Sequence, residues 1–218
     1  RLAVFATAAS VFSHEIANPL NGISASVQIL EKECQKGAVN PFVLKSNLRA
    51  VTDEIHRISS LLQDLRSFDQ AQDLALKPTD PRELMRDVVA KEGNDWRQHG
   101  VEIREEFDGP LPPIMVDYKK MRQVIFNLCE NAVEAMAGGG LLTLKGYCLG
   151  EAVVLEISDN GAGIPDGVEI FEPFQTTKLQ GTGLGLSIVR AIVSRHKGSI
   201  KYVTEPGKGT SFKVFLPA

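Results

Sequence analysis

Residues 2–33 read LAVFATAASVFSHEIANPLNGISASVQILEKE, and their apolar spacing decides the first part of the fold. Ala9, Ile16, Ile23 and Leu30 recur every seven residues, and Phe5, Phe12, Leu20 and Val27 fill the offset positions. Steps of three and four build one apolar stripe along a long helix. Gly37 marks its stop. Asn40-Pro41 marks a new start, with Asn as N-cap and Pro at the first helical position. The second helix repeats the pattern through Leu44, Leu48, Val51, Ile55, Ile58, Leu62 and Leu65, a sustained a/d seam. A lone hairpin of two such helices cannot bury both stripes well, whereas a homodimeric four-helix bundle can.

Outward from this hairpin the composition changes near residue 70. Asp69–Asp73 is polar, and Lys77-Pro78-Thr79-Asp80-Pro81 breaks any helix. The boundary divides a helical domain, residues 1–74, from a mixed domain, residues 75–218. In the second, a helix over 82–98 follows Asp80 as cap and Pro81 in its first turn. Val101–Phe107 alternates like a strand. Residues 117–137 are helical, with Met121, Val124, Ile125, Leu128, Ala132 and Met136 on one side. Leu141–Tyr147 and Val153–Ser158 read as strands and 159–183 as an irregular loop. A helix over 184–196 and a hairpin of Ser199–Thr204 with Thr210–Leu216 close the chain. This order predicts an α+β sandwich with helices on one face of a mixed sheet.

The bulk properties narrow the function classes. The 218 residues are 43% hydrophobic and 23% charged, ordinary for a globular protein. A net charge of -3 offers no reason to expect nucleic acid or an anionic membrane as partner. Cys34, Cys129 and Cys148 cannot all pair and show no metal-ligand spacing, so reduced thiols in a cytoplasmic core are expected. No apolar run approaches the ~18 residues of a membrane span. The chain opens at Arg1 without Met, directly into a helix, as an excised fragment would. A sensor domain or membrane anchor would then lie upstream.

Four constellations carry chemistry. In Ser13-His14-Glu15-Ile16-Ala17-Asn18-Pro19-Leu20, His14 stands two residues from Ile16, which at ~100° per residue sets it across from the seam, toward solvent. A neutral imidazole there is a nucleophile near pH 7, and the adjacent Glu15 can take a proton. Asn18 lies one turn along, where its amide can orient a water. Pro19 removes one helical hydrogen bond and should kink the helix beside His14. In Asn127-Leu128-Cys129-Glu130-Asn131, the two Asn project from one helix face with amide oxygens of the kind Mg²⁺ accepts beside phosphates. In Asp159-Asn160-Gly161-Ala162-Gly163, a strand-end carboxylate can accept from an adenine amino group, and glycines permit close backbone approach. Gly181-Thr182-Gly183-Leu184-Gly185 opens a helix whose free N–H groups suit phosphate. Between the last two, Phe171 and Phe174 would anchor a lid on which Thr176, Thr177 and Lys178 meet the phosphates. His56, His99 and His196 read as surface or packing residues, Cys129 and Trp96 as packing, and Glu134 as solvated.

In order and spacing, HEIANPL resembles the H box, NLCENAVEAM the N box, DNGAGI the G1 box, FEPFQTTK the F box and GTGLGLSIV the G2 box of sensor histidine kinases. The pattern looks like their nitrogen-regulatory or sporulation-kinase branch. The resemblance implies a dimerisation and histidine-phosphotransfer hairpin followed by a Bergerat-fold ATP-binding domain. It implies His14 as phosphoacceptor, Glu15 as general base and Asn18 as the residue serving dephosphorylation of a response regulator. It further implies Asn131 on Mg²⁺, Asn127 supporting the phosphate site, Asp159 with Gly161 and Gly163 at the adenine, and Gly181, Gly183 and Gly185 over the triphosphate of ATP. The implied partners are a second copy of the chain and a response regulator receiver domain. Hydrolytic relatives of the same fold carry Glu at the position of Asn127. Asn cannot take a proton from water, which favours transfer to His over hydrolysis. The competing expectations are a non-kinase ATPase of this fold and a degenerate kinase serving as a dimeric scaffold.

Overall fold

A computed structural model of the chain describes residues 2–35, 40–69, 74–165, 167–173, 175 and 183–218, with side chains left undescribed at 2–15, 56 and 60–69. Two compact units emerge, Arg1–Ala71 with Pro173–Leu184, and Gln72–Glu172 with Gly185–Ala218.

The first unit is built on α1 (Leu2–Gln35) and α2 (Pro41–Asp69). α1 continues through Pro19, which is buried. α2 starts where the cap signal placed it: Asn40 Oδ1 accepts the Phe42 N–H at 2.9 Å. The helices pack closely at Gly22, where a Cβ would stand 3.2 Å from Glu54 Oε1. Pairing within one chain leaves much of the seam uncovered. Leu20 is 51% exposed, Leu48 50% and Ile55 50%, although each sits in the apolar stripe.

The second unit runs β1 (Lys77–Thr79), α3 (Pro81–Gln98), β2 (Val101–Phe107), β3 (Ile114–Val116), α4 (Tyr118–Ala135), β4 (Gly140–Leu149), β5 (Ala152–Asp159), α5 (Gly185–Arg195), β6 (Ser199–Glu205) and β7 (Gly209–Pro217). Five strands form one sheet in the order β2-β4-β5-β7-β6, parallel between β2 and β4 and antiparallel elsewhere. Register explains the sandwich. Leu144, Ile157, Phe212 and Tyr202 line up across four strands, as do Gly146, Leu155, Val214 and Ile200. This apolar face meets the apolar sides of α3 (Leu84, Met85, Val88), α4 (Met121, Ile125, Leu128) and α5 (Ile188, Val189, Val193). Burying each such aliphatic side chain contributes about 1.5–3 kcal/mol.

The opposite face carries Lys145, Glu156, Lys213 and Lys201 in one row. Glu156 accepts from Ser211 Oγ at 2.6 Å and from Tyr147 Oη at 3.0 Å. Burial raises its carboxyl, but these bonds and the charges of Lys213 and Lys145 outweigh burial and hold it below the ordinary carboxylate value.

The segment around Pro78, read from sequence only as a helix breaker, is a strand. Lys77–Thr79 pairs antiparallel with Ile114–Val116 in a separate two-stranded sheet. Pro78 is tolerated because this ladder has outer edges that need no N–H donor. The Asp80 cap follows the sequence, and Asp117, read there as the first helical residue, is a second cap. Asp80 Oδ1 accepts from Arg82 N–H at 2.8 Å, and Asp117 Oδ1 accepts from Lys120 N–H at 3.2 Å.

Candidate functional site

The site in the second unit is assembled from the ends of α4 and β5, the start of α5 and the turn between β6 and β7. α4 buries Leu128, Cys129 and Ala132 against the sheet, so Asn127 and Asn131 stand half-buried at its margin. The Asn127 amide donates to the Gly185 carbonyl, a long contact of 3.4 Å that joins α4 to the first residue of α5. Gly183, just before that helix, has φ +65°, a backbone form suited to glycine. Leu184 is buried. Among the described residues, the nearest atom that a side chain at Gly185 would meet is Asn127 Nδ2, at 3.9 Å.

Asp159 closes β5. Its Oδ1 accepts the Gly161 N–H at 2.8 Å and the Thr210 N–H at 3.3 Å, the second from β7. The loop after it lies directly on the C-terminal end of α4. Ala162 N–H donates to the Ala135 carbonyl at 3.0 Å, and a Cβ on Gly161 would stand 2.5 Å from that same oxygen. Asn160 Oδ1 accepts the Leu141 N–H at 2.8 Å, fastening the loop to β4. Gly163, at φ +70°, passes against the Glu205 carbonyl, and Gly207 N–H donates to the Ala162 carbonyl at 2.7 Å. The carboxylate is therefore held at a fixed place beside a glycine backbone with no Cβ in the way.

Electrostatics differ on the far side of α4. Glu130 accepts the Trp96 Nε1–H at 2.6 Å, and burial pushes its carboxyl above the ordinary value, with Glu134, Glu92 and Asp95 adding to the rise. Trp96, expected as packing, is buried and also makes this bond. Burial drives the Cys129 thiol far up, so it stays protonated and unreactive. Phe171 meets Tyr202 edge-on at 5.9 Å between ring centroids, and Tyr202 lies 5.8 Å from Phe212. Glu172 faces Arg190 of α5 at 4.0 Å.

The structure thus gathers Asn127, Gly185, Asp159, Gly161 and Gly163 in one unit, with Asn131 one turn beyond Asn127. Asn18 is exposed on α1. His14 and Glu15 belong to α1, but their side chains lie outside the described residues, as do Phe174, Thr176, Thr177, Lys178, Gly181 and Thr182 entirely. Sequence reasoning missed Asn160, Thr204 and Thr210 as holders of the loop. It also left open whether His196 is buried. That side chain is buried, takes the Asp117 N–H on Nε2 at 3.0 Å and pairs through Nδ1 with the Ile192 carbonyl at 2.8 Å. Asp117 Oδ2 in turn accepts the Ala75 N–H at 3.1 Å. A His at the end of the expected helix 184–196 was the signal in the sequence. Among the described residues, no helix is long and apolar enough to cross a membrane.

The chain thus joins a helical hairpin to a helix-covered mixed sheet that carries a carboxylate–glycine loop and an Asn-bearing helix bonded to the first residue of α5. Residues 6–74 match the His Kinase A (phospho-acceptor) domain, and residues 116–218 match the histidine kinase-, DNA gyrase B- and HSP90-like ATPase family. The sensory histidine kinase/phosphatase NtrB of Rhodobacter capsulatus is 34% identical over 96% of this chain and 61% of its own length. The signal transduction histidine-protein kinase AtoS of Escherichia coli is 31% identical over 100% of this chain and 35% of its own. The catalytic domain of histidine kinase ThkA superposes with a TM-score of 0.60 at 30% identity, covering 67% of this chain and 96% of that one. ThkA in complex with response regulator protein TrrA gives 0.83 at 26% identity, over 100% of this chain and 63% of that one. This chain belongs to the sensor histidine kinases. It spans between 35% and 61% of the length of the first curated relatives.

Proposed function

We propose that the chain is the catalytic core of a sensor histidine kinase that moves the γ-phosphoryl group of ATP to His14 and then to an aspartate of a response regulator. The observation that carries this is one unit holding both Asp159 bonded to its glycine loop and Asn127 bonded to the first residue of α5, in a chain whose α1 bears the His14-Glu15-Ile16-Ala17-Asn18-Pro19 sequence. Residues 1–74 act as the dimerisation and phosphotransfer domain, and residues 75–218 as the ATP-binding domain.

Asp159 accepts from the adenine amino group, while Gly161 and Gly163 let the base approach backbone. The α5 N-terminus with Gly181, Thr182, Gly183, Leu184 and Gly185 receives the phosphates on N–H groups. Among the described residues, a side chain at Gly185 would meet only Asn127 Nδ2, at 3.9 Å, and this room supports the reading. Thr176, Thr177 and Lys178 add contacts to the same oxygens. The donor set also fits Mg²⁺, since an Asn131 amide oxygen beside phosphate oxygens is the hard environment this ion accepts. When bound, the ion neutralises charge on the transferring group. Asn127 supports the phosphates and, lacking a basic carboxylate, does not activate water.

His14 attacks the γ-phosphorus through a ring nitrogen, the bond to the β–γ bridging oxygen breaks, and ADP leaves. Glu15 takes the imidazole proton. A receiver-domain aspartate then accepts the phosphoryl group, and Asn18 orients water for its later removal from that regulator. The kinase/phosphatase name of NtrB and the ThkA–TrrA complex support both directions. Half-exposed Leu20, Leu48 and Ile55 support a homodimer that buries them in a four-helix bundle.

Incubation with γ-labelled ATP and Mg²⁺ tests the proposal. Acid-labile, base-stable label should appear on the protein and disappear in His14→Gln. Steady phosphate release without protein label would make the chain an ATPase instead.

A further inference from the structure

Thr204 lies outside all five kinase boxes, yet its hydroxyl has three partners at the site. Thr204 Oγ1 accepts the Ile164 N–H at 2.8 Å, donates to the Gly209 carbonyl at 3.2 Å and stands 3.0 Å from Thr210 Oγ1. A hydroxyl has one proton and two lone pairs. With the proton on Gly209, Ile164 N–H and the Thr210 hydroxyl fill both lone pairs, and every valence is used. Thr210 N–H goes on to Asp159 Oδ1. One side chain on the sheet edge thus connects the end of the glycine loop, the β6–β7 turn and the strand that holds the Asp159 carboxylate.

The glycines around it show how tightly these segments interlock. Gly209 has φ +107° and passes against the Asp159 carbonyl, while Gly163 passes against Glu205. At the near end the Asp159 carboxylate takes the Thr210 N–H, and elsewhere backbone meets backbone, as between Gly207 and Ala162. The Thr204 hydroxyl is the side-chain tie between the hairpin and the far end of the loop.

We propose that Thr204 is a positioning residue for nucleotide binding, holding the Asp159–Pro165 loop against the β6–β7 hairpin so that the base-binding groups are placed before ATP arrives. This rests on the reading of that loop as the base site. Preorganisation of this kind acts on binding and leaves the phosphoryl-transfer step alone.

Thr204→Val keeps the branched shape and removes the hydroxyl, and Thr204→Ser keeps the hydroxyl. With MgATP as probe, calorimetric Kd and the KM for autophosphorylation should rise roughly tenfold in Thr204→Val, for the loss of one half-buried hydrogen-bond hub. The kcat should hold within about twofold, and Thr204→Ser should bind like the unaltered chain. Unchanged Kd in a well-folded Thr204→Val overturns the inference. So does a loss that Thr204→Ser fails to restore, or a fall in kcat matching the fall in affinity. If Val prevents folding, Thr204→Ala is measured against the same criteria. Failure of the unaltered chain to bind MgATP would remove the base-site reading first, a result distinct from normal binding that ignores Thr204.

Discussion

Asp159→Asn separates the two jobs assigned to this carboxylate. Oδ1 holds the loop by accepting from Gly161 and Thr210, and an asparagine oxygen can accept both bonds in the same place. The second oxygen becomes an NH₂ group, so an acceptor offered to the adenine amino group turns into a donor. Replacing charge-assisted bonds to the loop by neutral ones costs about 1 kcal/mol of local stability. At the base, the loss of a charge-assisted bond and the confrontation of two donors together cost about 3 kcal/mol, roughly a hundredfold in Kd. The assay is calorimetric titration of MgATP with a thermal melt on the same sample. The expected result is a melting temperature lowered by a few degrees with affinity reduced about a hundredfold. GTP, whose six-position oxygen accepts, should lose less or gain. Unchanged ATP affinity would refute the placement of adenine at Asp159. A large loss of fold would show that the carboxylate charge, beyond its geometry, holds the loop.

Gly161→Ala places a Cβ 2.5 Å from the Ala135 carbonyl oxygen, and the nearest neighbours are all atoms of that one residue, so the loop must lift. Overpacking of this kind costs about 1–3 kcal/mol, and ATP affinity should fall more than melting temperature; a variant that binds normally would refute the close fit. His196→Phe leaves the Asp117 N–H without its acceptor and should lower stability by about 2 kcal/mol, roughly 4–8 °C in melting temperature; an unchanged melt would show that water replaces the ring. Glu130 is raised above its ordinary value of 4.5, so its contribution to stability is fully present below that value and is lost as pH rises through the higher folded value. The fluorescence of Trp96, the single Trp, should report this titration through the shared hydrogen bond, and Glu130→Gln should flatten it; an unaltered titration in that variant would assign the signal elsewhere.

Much of the fold was legible because its signals are local. The heptad spacing of α1 and α2, the Asn40-Pro41 start and the Asp80 cap each act within a few residues of where they are written. The strand β2 announced itself by alternation, β4 to β7 read as strands between turn signals, and the irregular stretch after Asp159 showed by its glycines. Pro78 did break the helix as read, but a proline does so equally well before a loop or on the edge of a small sheet, so β1 went unread.

The sequence by itself determined that a helical hairpin precedes a mixed sandwich, and that Asn127, Asn131, Asp159 and the glycines stand in the order of a histidine kinase. Spacing along the chain suffices for that, since each box is a short local pattern. Only the tertiary structure decided how the loop at Asp159 is held. Its partners, Ala135, Leu141, Thr204, Gly207 and Thr210, lie between 19 and 51 residues from the groups they bind. The His196–Asp117 and Trp96–Glu130 bonds, 79 and 34 residues apart, were equally hidden. A hydroxyl or an imidazole carries the capacity to bond but no address. The address comes from strand register and helix packing, which set the residues side by side only once the sheet has closed.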